Sequence, residues 1–335
     1  MKEKRGDDMT PKASLHASTA MLHSSPIVDV GAAVISRADG SFLLGERPAG
    51  KIYAGYWEFP GGKIEAGESP LQGLTRELHE ELGIDVERAF PWITQVFSYP
   101  HATVRLHFFR VTAWRGEPHG RENQRIAWCF PRDPPLEPML PANTPVFRAL
   151  RLPTVYGITN ASELGELEFL SRLDVALARG LKLVQVREKA MDKDKLARFS
   201  GIVVNRCHAA GARALINADA DLARSVNADG VHLTSTQLRK LSVRPEFDMV
   251  GASCHNAEEL ALAAALGADF SVLGPVKPTP SHPQTHPLGW PGLARLLAGY
   301  PLPVFALGGL GPDDMDAVWS CAAHGVAMQR KVWRS

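Results

Sequence analysis

Three carboxylates set the chemistry this sequence can do: Glu77, Glu80 and Glu81, within RELHEELG at residues 76–83. On a helix, positions i, i+3 and i+4 share one face. Carboxylates crowded on one face repel one another, which raises their pKa values, and a divalent cation relieves that strain. Hard oxygen donors suit Mg²⁺, with Mn²⁺ as a possible substitute. Arg76 stands next to the cluster, where a charge-assisted hydrogen bond would orient a neighbouring glutamate. Upstream, Gly61 and Gly62 allow close approach of backbone to metal and phosphate. Such a cluster points to a divalent-metal site.

The local sequence predicts the elements that hold these groups. Ser69 is placed as an N-cap with Pro70 at the first helical position, and Gly83 ends the helix. Leu71, Leu74, Leu78 and Leu82 form its apolar stripe. Before it, IVDVGAAVIS (27–36) and SFLLGER (41–47) flank Ala38-Asp39-Gly40 and read as a hairpin. After it, TQVFSYP, TVRLHFFRVTAW and IAWCF read as strands. Strands around one long helix make an α/β/α layered domain. From about residue 154 the pattern becomes strand–helix alternation, with VYGIT, KLVQV, ALIN, GVHL, MVGAS, FSVLG, PVFALGG and GVAM as strands. Eight such units predict a compact (β/α)₈ barrel that stops without a full last helix. The expected division is a disordered tail over 1–26, a first domain over 27–131, a Pro-rich segment and linker over 132–152, and the barrel over 153–335.

Composition narrows the partners. The chain has 335 residues, enough for two domains. It carries 37 basic and 36 acidic residues, a net charge of +1. Nucleic-acid binders usually carry a basic excess, so a small free nucleotide is the expected partner, with neither nucleic acid nor membrane. The four cysteines, Cys129, Cys207, Cys254 and Cys321, have no CxxC spacing and read as reduced thiols of a cytoplasmic protein. No apolar run reaches membrane-spanning length. Oligomeric state is not legible.

The cluster sits in a longer pattern, G-x5-E-x7-R-E-U-x-E-E-x-G-U, where U is apolar. Gly62, Glu68, Arg76, Glu77, Leu78, Glu80, Glu81, Gly83 and Ile84 meet it. Seven fixed positions at roughly 7% each give chance odds on the order of 10⁻⁸. This segment resembles the Nudix box in full. The resemblance implies an Mg²⁺-dependent pyrophosphohydrolase. Glu77, Glu80 and Glu81 would be ligands, with the Gly61 backbone completing the metal site, and Arg76 would serve in catalysis. EFPGGK (58–63), RGEPHGRE (115–122) and LPANTPV (140–146) are similar to MutT-type proteins, which cleave 8-oxo-dGTP to the monophosphate and pyrophosphate. That likeness implies nucleotide-pool sanitisation, in the service of DNA repair and replication. It makes Glu122 a further metal-site carboxylate and Asn143 the reader of the oxidised purine edge. Arg47, Phe59 and Lys63 become further substrate contacts. KIYAGYWEF departs from the MutT pattern in Ile52, Tyr53 and Trp57.

The barrel resembles thiamine-phosphate synthase and its relative TenI, through QVREK (185–189), LIN (215–217), ADGVHL (228–233), GASCH (251–255), GPVKPT (274–279) and ALGGL (306–310). The resemblance implies a phosphate site of Arg187, Lys189, Asn217, Ser253, Gly308 and Gly309. Three departures bear on activity. Ala218 and Gln237 stand where the synthase carries its two Mg²⁺ aspartates, and His282 replaces a usual lysine. Without those carboxylates the barrel is expected to lack synthase activity. A hydrolase of a thiamine-related pyrophosphate, such as hydroxymethylpyrimidine pyrophosphate, and a sensor of a phosphorylated metabolite are the alternatives.

Overall fold

A computed structural model describes residues 26–133, 136–279 and 286–334. The expected tail, apart from Pro26, and His282 lie outside the described residues.

The first domain layers helices on both sides of strands. One mixed sheet has the order β4 (Gly61–Lys63), β1 (Val28–Ile35), β6 (Ala102–Arg115), β5 (Asp85–Tyr99). A second sheet has the order β3 (Trp57–Glu58), β2 (Phe42–Glu46), β7 (Ile126–Cys129). Alternation along β1 shows why both sides need cover. Ala33 and Ile35 join Leu74, Leu78 and Leu82 of helix α1 (Pro70–Leu82) in one core. Ala32 and Val34 join Val146 and Phe147 of helix α2 (Thr144–Leu150) in the other. A strand apolar on both faces can sit only between two such layers. The Pro-rich segment therefore ends in a helix that closes the second core.

Two local expectations differ from what is found. The turn at Ala38-Asp39-Gly40 forms, with Asp39 accepting hydrogen bonds from the backbone and hydroxyl of Ser41. The strands around it share only the bridge Ser36–Phe42 and then part, one into each sheet. β1 pairs instead with β4 and β6, because its two apolar faces require interior placement. Leu71 is 40% exposed rather than core. It lies in the first turn of α1 and lines an outer groove with Gln72 and Thr75.

The second domain is a closed parallel barrel of eight strands: β8 (Val155–Ile158), β9 (Leu183–Val186), β10 (Arg213–Asn217), β11 (Gly230–Leu233), β12 (Met249–Cys254), β13 (Phe270–Leu273), β14 (Val304–Leu307) and β15 (Gly325–Met328). Tyr156, Leu183, Leu215, Phe270 and Phe305 fill its interior. The chain closes on a short 3₁₀ turn, Lys331–Trp333, whose Trp333 is buried against Phe169 and donates to Ile158 O. All four cysteines are free. No helix among the described residues is long and apolar enough to cross a membrane.

The β5–β6 hairpin docks on the barrel at the ends where strands begin. Thr94 N–H donates to Tyr300 O at 3.0 Å and Gln95 Nε2 to Pro301 O at 2.6 Å, both just before β14. Arg110 of β6 is buried and donates to His324 O (2.9 Å) and His324 Nδ1 (2.8 Å), just before β15. Its guanidinium lies 4.3 Å over Trp92 and 5.3 Å from the Trp319 ring. His324 Nε2 donates to the carbonyls of Leu152 and Pro153 in the connector between the domains. These bonds assign the imidazole as neutral, with its proton on Nε2.

Candidate active site

Helix α1 is held at both ends by its own sequence. Ser69 and Gln72 form a reciprocal capping box, and Gly83 takes the left-handed conformation (φ 70°) that stops the helix. Its buried leucines turn the opposite face toward a cavity of about 930 Å³. That cavity is lined, among others, by Glu58, Gly61, Gly62, Glu77, Glu81, Glu122 and Asn143.

Arg76 organises the approach to this cavity. It donates to both oxygens of Glu68 (2.9 and 3.1 Å), to Glu77 (3.0 Å), to Glu80 (3.3 Å) and to Lys63 O (3.0 Å). The Arg76 hydrogen bonds lower the pKa of the Glu68 carboxyl. Arg76 thus acts through its neighbours as a positioning residue. The two glycines are required by space. A Cβ on Gly62 would lie 2.1 Å from the Glu77 carboxyl carbon, and one on Gly61 (φ 146°) 2.0 Å from Gly31 O. The Glu77 carboxylate therefore sits directly against the β4 backbone.

Like Glu77, whose side chain is 17% exposed, Glu81 is largely buried, its side chain 19% exposed. Burial pushes its pKa up to about 7, with Lys51 opposing and Glu122, Glu77 and Glu58 adding to the rise. Glu122 comes from the 116–125 loop, which is fastened to the end of α1: Arg121 N–H and Gln124 Nε2 both donate to Glu81 O, and His119 N–H to Leu82 O. Lys51 reaches between the two carboxylates, hydrogen-bonded to Glu122 and 3.7 Å from Glu81 Oε1. Glu80 stands apart. It is 58% exposed and lines a shallow outer groove with Arg76 and His79.

Substrate-side candidates meet at the same cavity. Arg47 donates to both oxygens of Glu58 (2.7 and 2.8 Å), so its charge is already partnered. Phe59 is buried, edge-on to Phe108. Lys63 lies at the rim. Asn143, in a 3₁₀ turn before α2, is 4% exposed, and its Nδ2 has no hydrogen-bond partner. Trp57 and Trp128 are packing residues: Trp57 belongs to a core, and Trp128 stacks between Trp114 and Arg37. Sequence reasoning missed Lys51, Glu58 and an aromatic wall of Tyr53, Tyr99 and His101, whose rings lie 5.5–5.8 Å apart. The bulk of Tyr53 was the visible signal, but its partners come from the β5–β6 turn. Tyr53 sits at φ 62°, an uncommon conformation for a residue with a side chain, packed against these rings.

Residues 26–150 match the NUDIX domain model, and residues 155–332 match the thiamine monophosphate synthase (TMP-TENI) model. The first region is 38% identical over 123 residues to the CTP pyrophosphohydrolase of Escherichia coli K12, which covers 37% of this chain and 90% of that protein. The chain belongs to both families. The Nudix region is also similar to the 8-oxo-dGTP diphosphatase of Haemophilus influenzae, 42% identical over 102 residues (30% of this chain, 75% of that protein). The barrel is similar to the thiamine-phosphate synthase of Thermobifida fusca, 36% identical over 167 residues (48% of this chain, 76% of that protein).

Nudix hydrolases generally use divalent metal ions such as Mg²⁺. The residues present fit one: Glu77, Glu81 and Glu122 offer hard oxygens around a cavity, and Gly61 and Gly62 leave the room a Cβ would fill. As they stand, the described side chains form no ready-made three-ligand group. Lys51 spans Glu81 and Glu122, and Arg76 takes up Glu77 and Glu80.

In the TMP-TENI barrel the residues expected to form a phosphate site gather where strands end. Arg187 follows β9, Asn217 closes β10, Ser253 lies near the end of β12 with its hydroxyl 3.0 Å from His232 Nε2, and Gly308 and Gly309 follow β14 with φ of 107° and 68°. Arg187, ahead of burial, lowers the pKa of neighbouring Lys189, as two cations side by side must. Ala218 and Gln237 offer no carboxylate, and the polar groups around them serve structure. Asp219 caps the next helix through Leu222 N–H, and Gln237 Nε2 donates to Ala218 O at 2.6 Å.

Proposed function

We propose that the Nudix domain hydrolyses a nucleoside triphosphate with Mg²⁺ or Mn²⁺, preferentially 8-oxo-dGTP, giving 8-oxo-dGMP and pyrophosphate. The observation that carries the base preference is Asn143: a buried amide facing the cavity with an unpartnered donor. An amide offers both a donor and an acceptor, which suits the altered edge of an oxidised purine. The segment 132–152 belongs to this site, since it delivers Asn143.

The chain's own residues do the following. Arg76 holds Glu68 and Glu77 in register below Gly62. Glu77, Glu81 and Glu122 would hold the metal, which when bound neutralises phosphate charge and lowers the pKa of water. Water attacks phosphorus, a carboxylate of the site accepts its proton, and the bond to pyrophosphate breaks. Asn143 and the aromatic wall orient the base.

The test is a kinetic panel of 8-oxo-dGTP, dGTP, CTP and hydroxymethylpyrimidine pyrophosphate. The highest kcat/KM is expected on 8-oxo-dGTP. In Asn143→Ala that preference over dGTP should shrink by roughly 10- to 100-fold, the range for a lost buried hydrogen bond. A higher kcat/KM on the pyrimidine pyrophosphate would replace this reading with the thiamine-related one, which the fused barrel motivates.

The barrel is a phosphate-binding domain without synthase turnover in this reading, because no carboxylate stands at 218 or 237. Supplied with both synthase substrates and Mg²⁺, the purified protein should form thiamine phosphate no faster than background. Robust turnover would show that metal is held some other way.

A further inference from the structure

Lys51 is a cation placed where the metal site needs one. It extends from the loop between β2 and β3, flanked by Gly50 (φ 89°) and Tyr53 (φ 62°). Its ammonium is hydrogen-bonded to Glu122 and 3.7 Å from Glu81, the two carboxylates that the helix and the 116–125 loop bring together. Glu77 and Glu58 add like charge around Glu81. Arg47, Lys51 and Lys63 line this cavity together with His101, and Arg47 is already committed to Glu58.

Building on the metal-dependent reading above, we propose that Lys51 is a tethered counter-ion. It neutralises Glu81 and Glu122 in the metal-free enzyme, must leave before a divalent cation binds, and then serves the phosphate chain. A single positive charge cannot share two carboxylates with an incoming double charge at these distances; one displaces the other. The displaced ammonium stays on a loop that lines the cavity, among the few groups there able to meet a polyphosphate. Metal affinity is thus reduced in the empty enzyme and recovered when nucleotide offers the ammonium a second partner. That couples the two ligands through one side chain.

The probe is Mn²⁺ alone, titrated into the full-length protein and followed by electron paramagnetic resonance of the free ion. Lys51→Met keeps the stem and removes the charge. It should bind Mn²⁺ roughly tenfold more tightly, as removing a competing state populated about nine-tenths of the time requires. Its metal-free melting temperature should fall below wild type, and saturating Mn²⁺ should abolish the difference. At saturating Mg²⁺ its KM for a nucleoside triphosphate should rise about tenfold, with kcat changed less. Lys51→Gln should behave alike, which guards against a packing artefact. Unchanged or weaker Mn²⁺ binding in both variants would overturn the counter-ion role while leaving nucleotide hydrolysis intact. Tighter Mn²⁺ binding with unaltered KM would overturn the phosphate role. Loss of all pyrophosphohydrolase activity in the wild type would instead strike the underlying reading.

Discussion

Glu81→Gln should lose hydrolysis by about 10³-fold or more in kcat, because in the proposed reading Glu81 is a metal ligand, and the metal supplies several kcal/mol of transition-state charge stabilisation. The variant should still fold. Glu81 sits at the end of a capped helix, and the swap opens no cavity. In the metal-free protein it should even remove a burden. The folded pKa of Glu81 is raised to about 7 by burial. Between the ordinary carboxyl range and pH 7 the folded state therefore binds more protons than the unfolded one, so stability falls as pH rises through that window. Glutamine has nothing to ionise. Metal-free melts of the variant between pH 5 and 8 should be flatter than those of wild type. Single-turnover rates with saturating Mg²⁺ check the catalytic part, and wild-type rates in the variant would contradict the assignment.

Arg110→Ala should produce the largest loss of stability. The guanidinium joins the domains through two bonds to His324 and a sandwich of Trp92 and Trp319. Among the described residues no carboxylate pairs with it, and burial lowers its pKa to about 9. Truncation opens a void, leaves His324 Nδ1 without a donor and leaves His324 O only that of Trp319 Nε1, together worth about 3–5 kcal/mol. Calorimetry should show one cooperative transition in wild type and a split or strongly lowered one in Arg110→Ala, with faster proteolysis near residues 151–153. A single unshifted transition would deny the lock. Arg110→Met, which fills the space without the charge, should be much milder, since an unpaired buried charge carries its own desolvation cost. Acid acts on the same contact. Burial, then Arg110, holds His324 well below its ordinary pKa of 6.5. The unfolded state gains a proton first as pH drops below 6.5, so this stability is present above 6.5 and lost below it, at up to about 1.4 kcal/mol per pH unit.

What the sequence shows and what it hides divide along physical lines. The cap at Ser69, the stop at Gly83 and the carboxylates at 77 and 81 depend on neighbours a few residues away, and they are found where spacing placed them. The eight barrel strands are legible for the same reason, since each is a short apolar run between helices. Apolar alternation in β1 shows that it is buried but not which strand lies beside it. That is why the strands flanking Asp39 read as a paired hairpin and instead separate. Glu80 reads as equivalent to Glu81 on a helical projection. Only the position of the sheet shows that one faces the cavity and the other the outer groove. Lys51, Tyr99 and His101 reach the site from loops whose course is set by tertiary packing. Arg110 looks like any charged residue in a strand until the barrel is set against it.

The hairpin rests on the entry side of the barrel strands, whereas Arg187, Asn217, Gly308 and Gly309 lie on the exit side. The contact that joins the halves is therefore made away from those residues, and a substitution there can leave the docking face untouched. The tether between the halves enforces equal numbers of each and a shared fate on unfolding.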